Sequence, residues 1–249
     1  MVILSLSKSF AVVIKVMDYK ENDKLVWLYT EKHGKITCIV RGAKKSKSKF
    51  LSLTLPLCFG EYVFFKGKNM YNIQEGKIIN SFQSLLENLD KLTYSTYLCE
   101  LIDIAVEEHE ANETLFKDLV TCLYLLSTDA LDYEMLVRSF ELRILNATGY
   151  GLNLTQCSLC KEKMTTSNYI SLSNFGGVCE KCIKQHGIYV SRGAYNALRF
   201  IINTPMDKLY RLNVSKDIKD EIAKVTTTII SNNYARRPKS LDMLNYIKE

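Results

Sequence analysis

Four cysteines in two pairs, "CSLC" (Cys157, Cys160) and "CEKC" (Cys179, Cys182), are the residues best spaced for chemistry. Two residues between partners let one tight turn aim both sulfurs at a single ion about 2.3 Å away, and a second such turn completes a tetrahedron. The pairs are separated by 18 residues, Lys161 to Val178, giving C-x2-C-x18-C-x2-C, the spacing of a four-thiolate Zn²⁺ site. Four sulfurs leave no position for water, so the expected role is structural rather than catalytic. Gly176 and Gly177 would ease the return of the chain into the second pair. Paired disulfides and an iron–sulfur cluster are the alternatives, and His186 would be a surplus fifth ligand. Cys38, Cys58, Cys99 and Cys122 lie in apolar runs and read as small buried hydrophobes.

Catalytic groups are not assembled anywhere along the chain. "HEANE" (His109–Glu113) begins like a zinc-protease helix but has Glu113 where the second histidine belongs. No glycine-rich loop ends in Gly-Lys-Ser/Thr, and "TGYG" around Gly149 and Gly151 lacks a third glycine and a preceding strand. His33, His109 and His186 fall in three different segments. Asp18, Glu21 and Asp23 in "DYKEND" read as a solvated turn rather than a magnesium site. These absences point to a binding protein, not an enzyme.

The second chemical feature is "RGAKKSKSKF", with Arg41, Lys44, Lys45, Lys47 and Lys49 in ten residues and no acid. Such a run holds phosphates if a folded element presents it, and is otherwise a solvated connection. Lys35, Lys66 and Lys68 lie near it in sequence or at strand ends, and Arg236 and Arg237 form a second basic cluster in "ARRPK". Trp27, Tyr29, Phe64 and Phe65 are candidates for base stacking, with core packing as the competing use. Charge is segregated: residues 1–80 carry 14 Lys+Arg against 6 Asp+Glu, residues 81–153 carry 4 against 13, and residues 154–249 carry 15 against 8. The acidic middle makes DNA wrapping around the whole molecule unfavourable and favours binding along one side.

The elements that must position these groups change type along the chain. "FAVVIKVM" (Phe10–Met17), "LVWLYT" (Leu25–Thr30), "KITCIVR" (Lys35–Arg41), "EYVFFK" (Glu61–Lys66), "MYNIQ" (Met70–Gln74) and "KIIN" (Lys77–Asn80) are β-branched and aromatic runs separated by turn residues. Five or six short strands in about eighty residues suit a Greek-key barrel of the OB type. From Ser81, expected as a helix N-cap, the period becomes helical and continues through 113–127 and 133–149, where Gly149 ends a helix. Ser191 starts another helix that stops before Pro205, and 215–235 carries Ile218, Ile222, Val225 and Ile229 on one face. The expected fold is therefore α+β: an OB-fold β-barrel over 1–80 and a helical domain over 81–153 and 188–249, interrupted by a zinc-binding insertion over 154–187. The apolar start is broken by Lys8 and Lys15, no cleavage site follows, and no apolar run approaches eighteen residues, which predicts a soluble intracellular protein. The N-x-S/T matches at Asn112, Asn146, Asn153 and Asn213 are then chance.

The stretch from Val12 to Phe50, with its "DY..ND" turn (Asp18, Tyr19, Asn22, Asp23), "TEKHGK" (Thr30–Lys35) and "RGA-KKSKS", resembles the RecO family of bacterial recombination mediators. "FELRILNATGYGLNL" (Phe140–Leu154), "CSLC" and "FGGVCEKC" continue the resemblance over nearly the whole chain in the same order. The resemblance implies an OB-fold, a helical domain with an inserted zinc module, and a non-enzymatic task. It also implies binding to single- and double-stranded DNA, strand annealing, partnership with RecR, and capture of the acidic C-terminal tail of single-strand-binding protein. RecA would be loaded indirectly, in a cytoplasmic, nucleoid-associated setting, with no membrane partner. No motif here maps the tail pocket. A protein adaptor without direct DNA contact, and a nucleic-acid enzyme pairing OB and zinc modules, are the rival readings.

Overall fold

The computed structural model describes residues 6–129, 131–241 and 243. Five strands, β1 (Leu6–Tyr19), β2 (Asp23–Thr30), β3 (Gly34–Val40), β4 (Phe59–Lys66) and β5 (Tyr71–Asn80), close into a barrel in the order β1-β2-β3-β5-β4. All neighbours are antiparallel except β3 and β5, which run parallel through Cys38↔Tyr71 and Ile39↔Asn72. That closure is the OB-like arrangement. Period-two alternation supplies the interior: Ala11 and Val13, Val26 and Leu28, Ile36, Cys38 and Val40, Tyr62 and Phe64 form one buried cluster.

Two expected strands, Met70–Gln74 and Lys77–Asn80, are one strand. Glu75 and Gly76 do not turn; they pair with Val63 and Tyr62, and register shifts beside them absorb the bend. Gly76 fits closely there: a Cβ would lie 3.0 Å from the Leu53 side chain and 3.1 Å from the Glu61 carbonyl oxygen, so the leucine would have to shift.

The β3–β4 connection is wound rather than loose. Successive turns link Ser48 N–H to the Lys45 carbonyl (2.9 Å), Leu51 to Ser48 (3.2 Å) and Thr54 to Phe50 (3.0 Å). Ala43, Leu53 and Cys58 from this segment enter the barrel core, and Tyr62 Oη donates to the Leu53 carbonyl at 2.9 Å. Burial of these residues anchors a segment whose other face is the basic run.

A 3-10 turn (Gln83–Glu87) precedes α1 (Leu89–Ala105), so Asn88 rather than Ser81 caps that helix, accepting from Lys91 N–H at 3.1 Å. Next come α2 (Glu113–Thr128), α3 (Tyr133–Ala147), α4 (Arg192–Asn203) and α5 (Lys216–Asn233). Asp132 caps α3 and Ser191 caps α4 through Ala194 N–H at 3.1 Å, and Gly149, at φ +88°, ends α3 as expected. Between α3 and α4 lies a small sheet, β7-β6-β8, of β6 (Tyr169–Ser171), β7 (Gly176–Gly177) and β8 (Gly187–Tyr189).

The chain divides into two compact units. One holds the barrel, α1, α2 and the segment from Pro238; the other is Thr128–Arg237. In the first, the Glu100 carboxylate accepts from Lys239 N–H (3.0 Å), Ser240 N–H (2.9 Å) and Ser240 Oγ (2.5 Å), tying the segment to α1. Among the described residues no helix is long and apolar enough to cross a membrane.

Candidate metal centre and nucleic-acid groove

The four paired cysteines come together as the spacing predicts: the Sγ atoms of Cys157, Cys160, Cys179 and Cys182 all lie within 4.8 Å of one another. A tetrahedral ion with ~2.3 Å bonds to sulfur sets its ligands about 3.8 Å apart; Cys160 and Cys179 are separated by 3.7 Å. The first pair is turned by Lys161 N–H donating to the Cys157 carbonyl (3.0 Å), with Lys161 in the left-handed region at φ +64°. In the second, Cys182 N–H donates to the Cys179 carbonyl at 3.3 Å. Four thiols this close could hold a metal ion.

The glycines beside the second pair serve a different purpose from the one expected. Neither Gly176 nor Gly177 has positive φ. A Cβ on Gly177 would stand 2.2 Å from Met164 Cε and 2.3 Å from Tyr195 Oη, and one on Gly176 would stand 2.5 Å from the Asn153 carbonyl oxygen. Close packing of the cysteine sheet against α4 excludes side chains there. Tyr195, on α4, donates to the Leu154 carbonyl at 3.1 Å, which fixes the entry to the sheet.

The sulfurs of the cluster differ in how readily they ionise. Burial raises the Cys157 thiol, but N–H groups of Cys179, Cys160 and Leu159 outweigh it and bring its pKa down to about 6. Cys182, hydrogen-bonded to Cys179 and Cys160, is pushed up to about 12. One sulfur is thus ready as thiolate while a neighbour keeps its proton until a cation compensates the crowded charge. His186 is exposed and outside the cluster. The other cysteines, Cys38, Cys58, Cys99 and Cys122, are buried, and burial alone pushes Cys99 up to about 12.

The basic run borders a groove of about 540 Å³ on the barrel. It opens where the parallel β3–β5 pairing stops: Ile39↔Asn72 is the last pair, and beyond it Arg41 and Gln74 both line the groove. Lys49 and Phe50 from the β3–β4 segment form one wall, and Phe65 and Lys68 from the end of β4 and its following turn form another. Lys49 Nζ sits 5.1 Å from the Phe50 ring. Three cations, two partly exposed aromatic rings and two side-chain amides therefore share one concave surface.

The ten basic candidates do not share one place. Arg41, Lys49 and Lys68 line the groove; Lys45, Lys47 and Lys66 are exposed outside it. Lys44 Nζ lies 2.7 Å from Asp18 Oδ2, which holds the Asp18 carboxyl below its ordinary pKa. Lys35 is a correction. It is 8% exposed, and its Nζ donates to the Asp103 carbonyl at 2.5 Å and faces the Asp103 carboxylate at 3.6 Å. α1 covers that face of β3, so Lys35 cannot present its charge to a strand. Arg236 and Arg237 are exposed after α5, in the other unit.

The aromatics separate equally clearly. Tyr29 and Phe64 are fully buried, and Trp27 is half-buried under Lys15 Nζ at 4.7 Å from its ring. Phe65 is the one expected stacking residue that reaches the groove. Phe50, Asn72 and Gln74 were not singled out by sequence reasoning; the apolar end of the basic run at Phe50 was the available signal.

An OB-like barrel with a basic-aromatic groove in one unit, and a four-cysteine centre between helices in the other, define a two-unit small-barrel class of protein. Comparison with known families narrows this. The family model described as "Recombination protein O N terminal" matches residues 4–82, and "Recombination protein O C terminal" matches residues 86–242. The chain is 57% identical over 246 residues to a protein named DNA repair protein RecO from Clostridium perfringens strain 13, covering 99% of this chain and 100% of the relative. It is 49% identical over 246 residues to the protein of that name from Clostridium acetobutylicum, with the same coverage, and 30% identical over 243 residues to that of Acetivibrio thermocellus, covering 97% and 96%. The chain belongs to the RecO family.

Proposed function

We propose that the chain is a DNA repair protein that acts without catalysis: it binds and anneals single-stranded DNA and helps load RecA onto strands coated by single-strand-binding protein. The observation that carries this is the groove, where Arg41, Lys49 and Lys68 flank Phe50 and Phe65. Cations at its rim neutralise phosphates and release counterions, giving sequence-independent affinity that falls with salt. The two rings offer faces on which any base stacks, at about 1–3 kcal/mol per base. Lys45, Lys47 and Lys66 extend the positive field outside the groove and steer a strand toward it. Two strands held on such surfaces repel each other less, so complementary bases meet and pair without nucleotide hydrolysis.

The cysteine cluster supports a Zn²⁺ ion held by Cys157, Cys160, Cys179 and Cys182. Four thiolates saturate a tetrahedral ion, so its contribution is to fix the fold between α3 and α4. We assign residues 1–80 to the OB-fold, 81–153 and 188–249 to the helical domain, and 154–187 to the zinc insertion; residues 1–5, 130, 242 and 244–249 of these spans lie outside the described residues. Arg236 and Arg237 are proposed as a secondary DNA contact. RecR, the tail of single-strand-binding protein and, indirectly, RecA are the proposed partners, in a bacterial cytoplasm near the nucleoid.

The test is strand annealing on single strands precoated with the cognate single-strand-binding protein, with and without RecR. The reading requires faster annealing than the uncatalysed rate and no dependence on ATP. Annealing at the uncatalysed rate, together with absent DNA binding at physiological salt, leaves the adaptor reading in its place.

A further inference from the structure

The five cations of the basic run have unlike surroundings. Arg41 and Lys49 line the groove, and among the described residues Lys45 and Lys47 make no ion pair. Lys44 alone in the run is met by a carboxylate, Asp18 at 2.7 Å, on the β1–β2 hairpin. The same hairpin reaches the run twice more. Asp23 Oδ1 accepts from Gly42 N–H at 2.8 Å, and the Asn22 carbonyl accepts from Lys44 N–H at 3.0 Å. Gly42 is at φ +67°, a left-handed conformation that glycine adopts without strain. A lysine ammonium and a backbone N–H are both donors that phosphate groups use on proteins. Here both are taken by the chain's own oxygens.

The two carboxylates differ in kind. Asp23 is half-buried and bonds the backbone, so it holds the start of the segment and thereby Arg41. Asp18 is exposed, 66% of its side chain being accessible, and pairs with the side-chain ammonium of Lys44. An ion pair in that setting is weak and exchangeable.

Resting on the proposed DNA-binding role of this surface, we propose that Asp18 is an internal competitor for nucleic-acid phosphate, occupying Lys44 and withholding that cation from a bound strand. The hairpin thereby sets how many phosphates the basic run neutralises. Lys24, cross-strand from Asp18, is the other cation that faces this carboxylate. It remains on the barrel wall, whereas Lys44 belongs to the run and is the side chain released.

The experiment measures binding of an oligothymidylate against salt for the full-length chain, Asp18→Asn, Lys44→Met and the double variant, with Asp18→Ser as a second neutral form. Asp18→Asn is expected to bind tighter, with a salt slope steeper by ~0.7, one additional single-strand phosphate contact. In the Lys44→Met background the same substitution is expected to leave the slope unchanged. A slope gain that persists without Lys44 overturns the proposal, because loss of a nearby negative charge, felt through Lys24 or at long range, then suffices. An unchanged slope in both neutral Asp18 variants also overturns it. Failure of the unaltered chain to bind the oligonucleotide overturns the DNA-binding reading first, and this inference with it.

Discussion

Neutralising the groove is the perturbation with the most direct arithmetic. Arg41, Lys49 and Lys68 are exposed side chains of one concave surface, so replacing all three by glutamine removes three positive charges while leaving the buried cluster of Val40, Phe64 and Ile73 untouched. Exposed substitutions of this kind change stability by only about ±0.5 kcal/mol each. Each single-strand phosphate contact contributes ~0.7 to the logarithmic salt slope, so three lost contacts reduce it by about 2. Between 50 and 150 mM salt the unaltered chain should therefore lose about tenfold more affinity than the variant does. Fluorescence anisotropy with a labelled oligothymidylate at four or five salt concentrations reads the slope directly. An unaltered slope with an intact melting transition refutes the groove as the phosphate site, whatever happens to the affinity at one salt concentration.

Other consequences are open to measurement. Phe65→Ala should weaken single-strand binding by about 1–3 kcal/mol, the loss of one stacked base, while sparing duplex binding that rests on phosphates; equal losses on both ligands would place Phe65 outside the base contacts. Lys35→Met should lower thermal stability by roughly 1–3 kcal/mol, since the Asp103 carboxylate beneath it loses its buried partner, yet leave the salt slope alone. A fallen slope would return Lys35 to the DNA-binding set. Metal binding should release protons and weaken as pH falls, more steeply below about 6, where Cys157 also regains its proton and competes with the ion. With N–H donors bringing its pKa down to about 6, Cys157 should contribute less than a full proton at neutral pH, so fewer than four should appear in buffer-dependent calorimetry. A release of four would show that its N–H donors do not stabilise the thiolate.

The cysteine centre was legible because its ligands are encoded as two local turns, and each turn is closed by bonds within five residues, such as Lys161 to Cys157. The barrel was legible for the same reason: alternation in β1 to β4 is local. What failed was long-range. Lys35 alternates with core residues Ile36 and Cys38 and so points away from the barrel interior, but Asp103 of α1, 68 residues later, meets it on that outer face. Gly76 and its acidic neighbour look like a turn in sequence, yet pairing with Tyr62 and Val63 carries the strand straight through. The groove itself could not be read, because it arises where β3 and β5 part, a parallel pairing between segments some thirty residues apart. Phe50 was hidden by the charges around it, although burial of one side against the barrel core is what anchors the wall it forms.

The central claim is that single-stranded DNA lies in the barrel groove, and photocrosslinking tests it most directly. An oligonucleotide carrying 5-iodouracil, irradiated on the full-length protein and digested for mass spectrometry, should yield adducts at Phe50 or Phe65, which line that groove. Adducts confined to residues 128–237 would contradict the account.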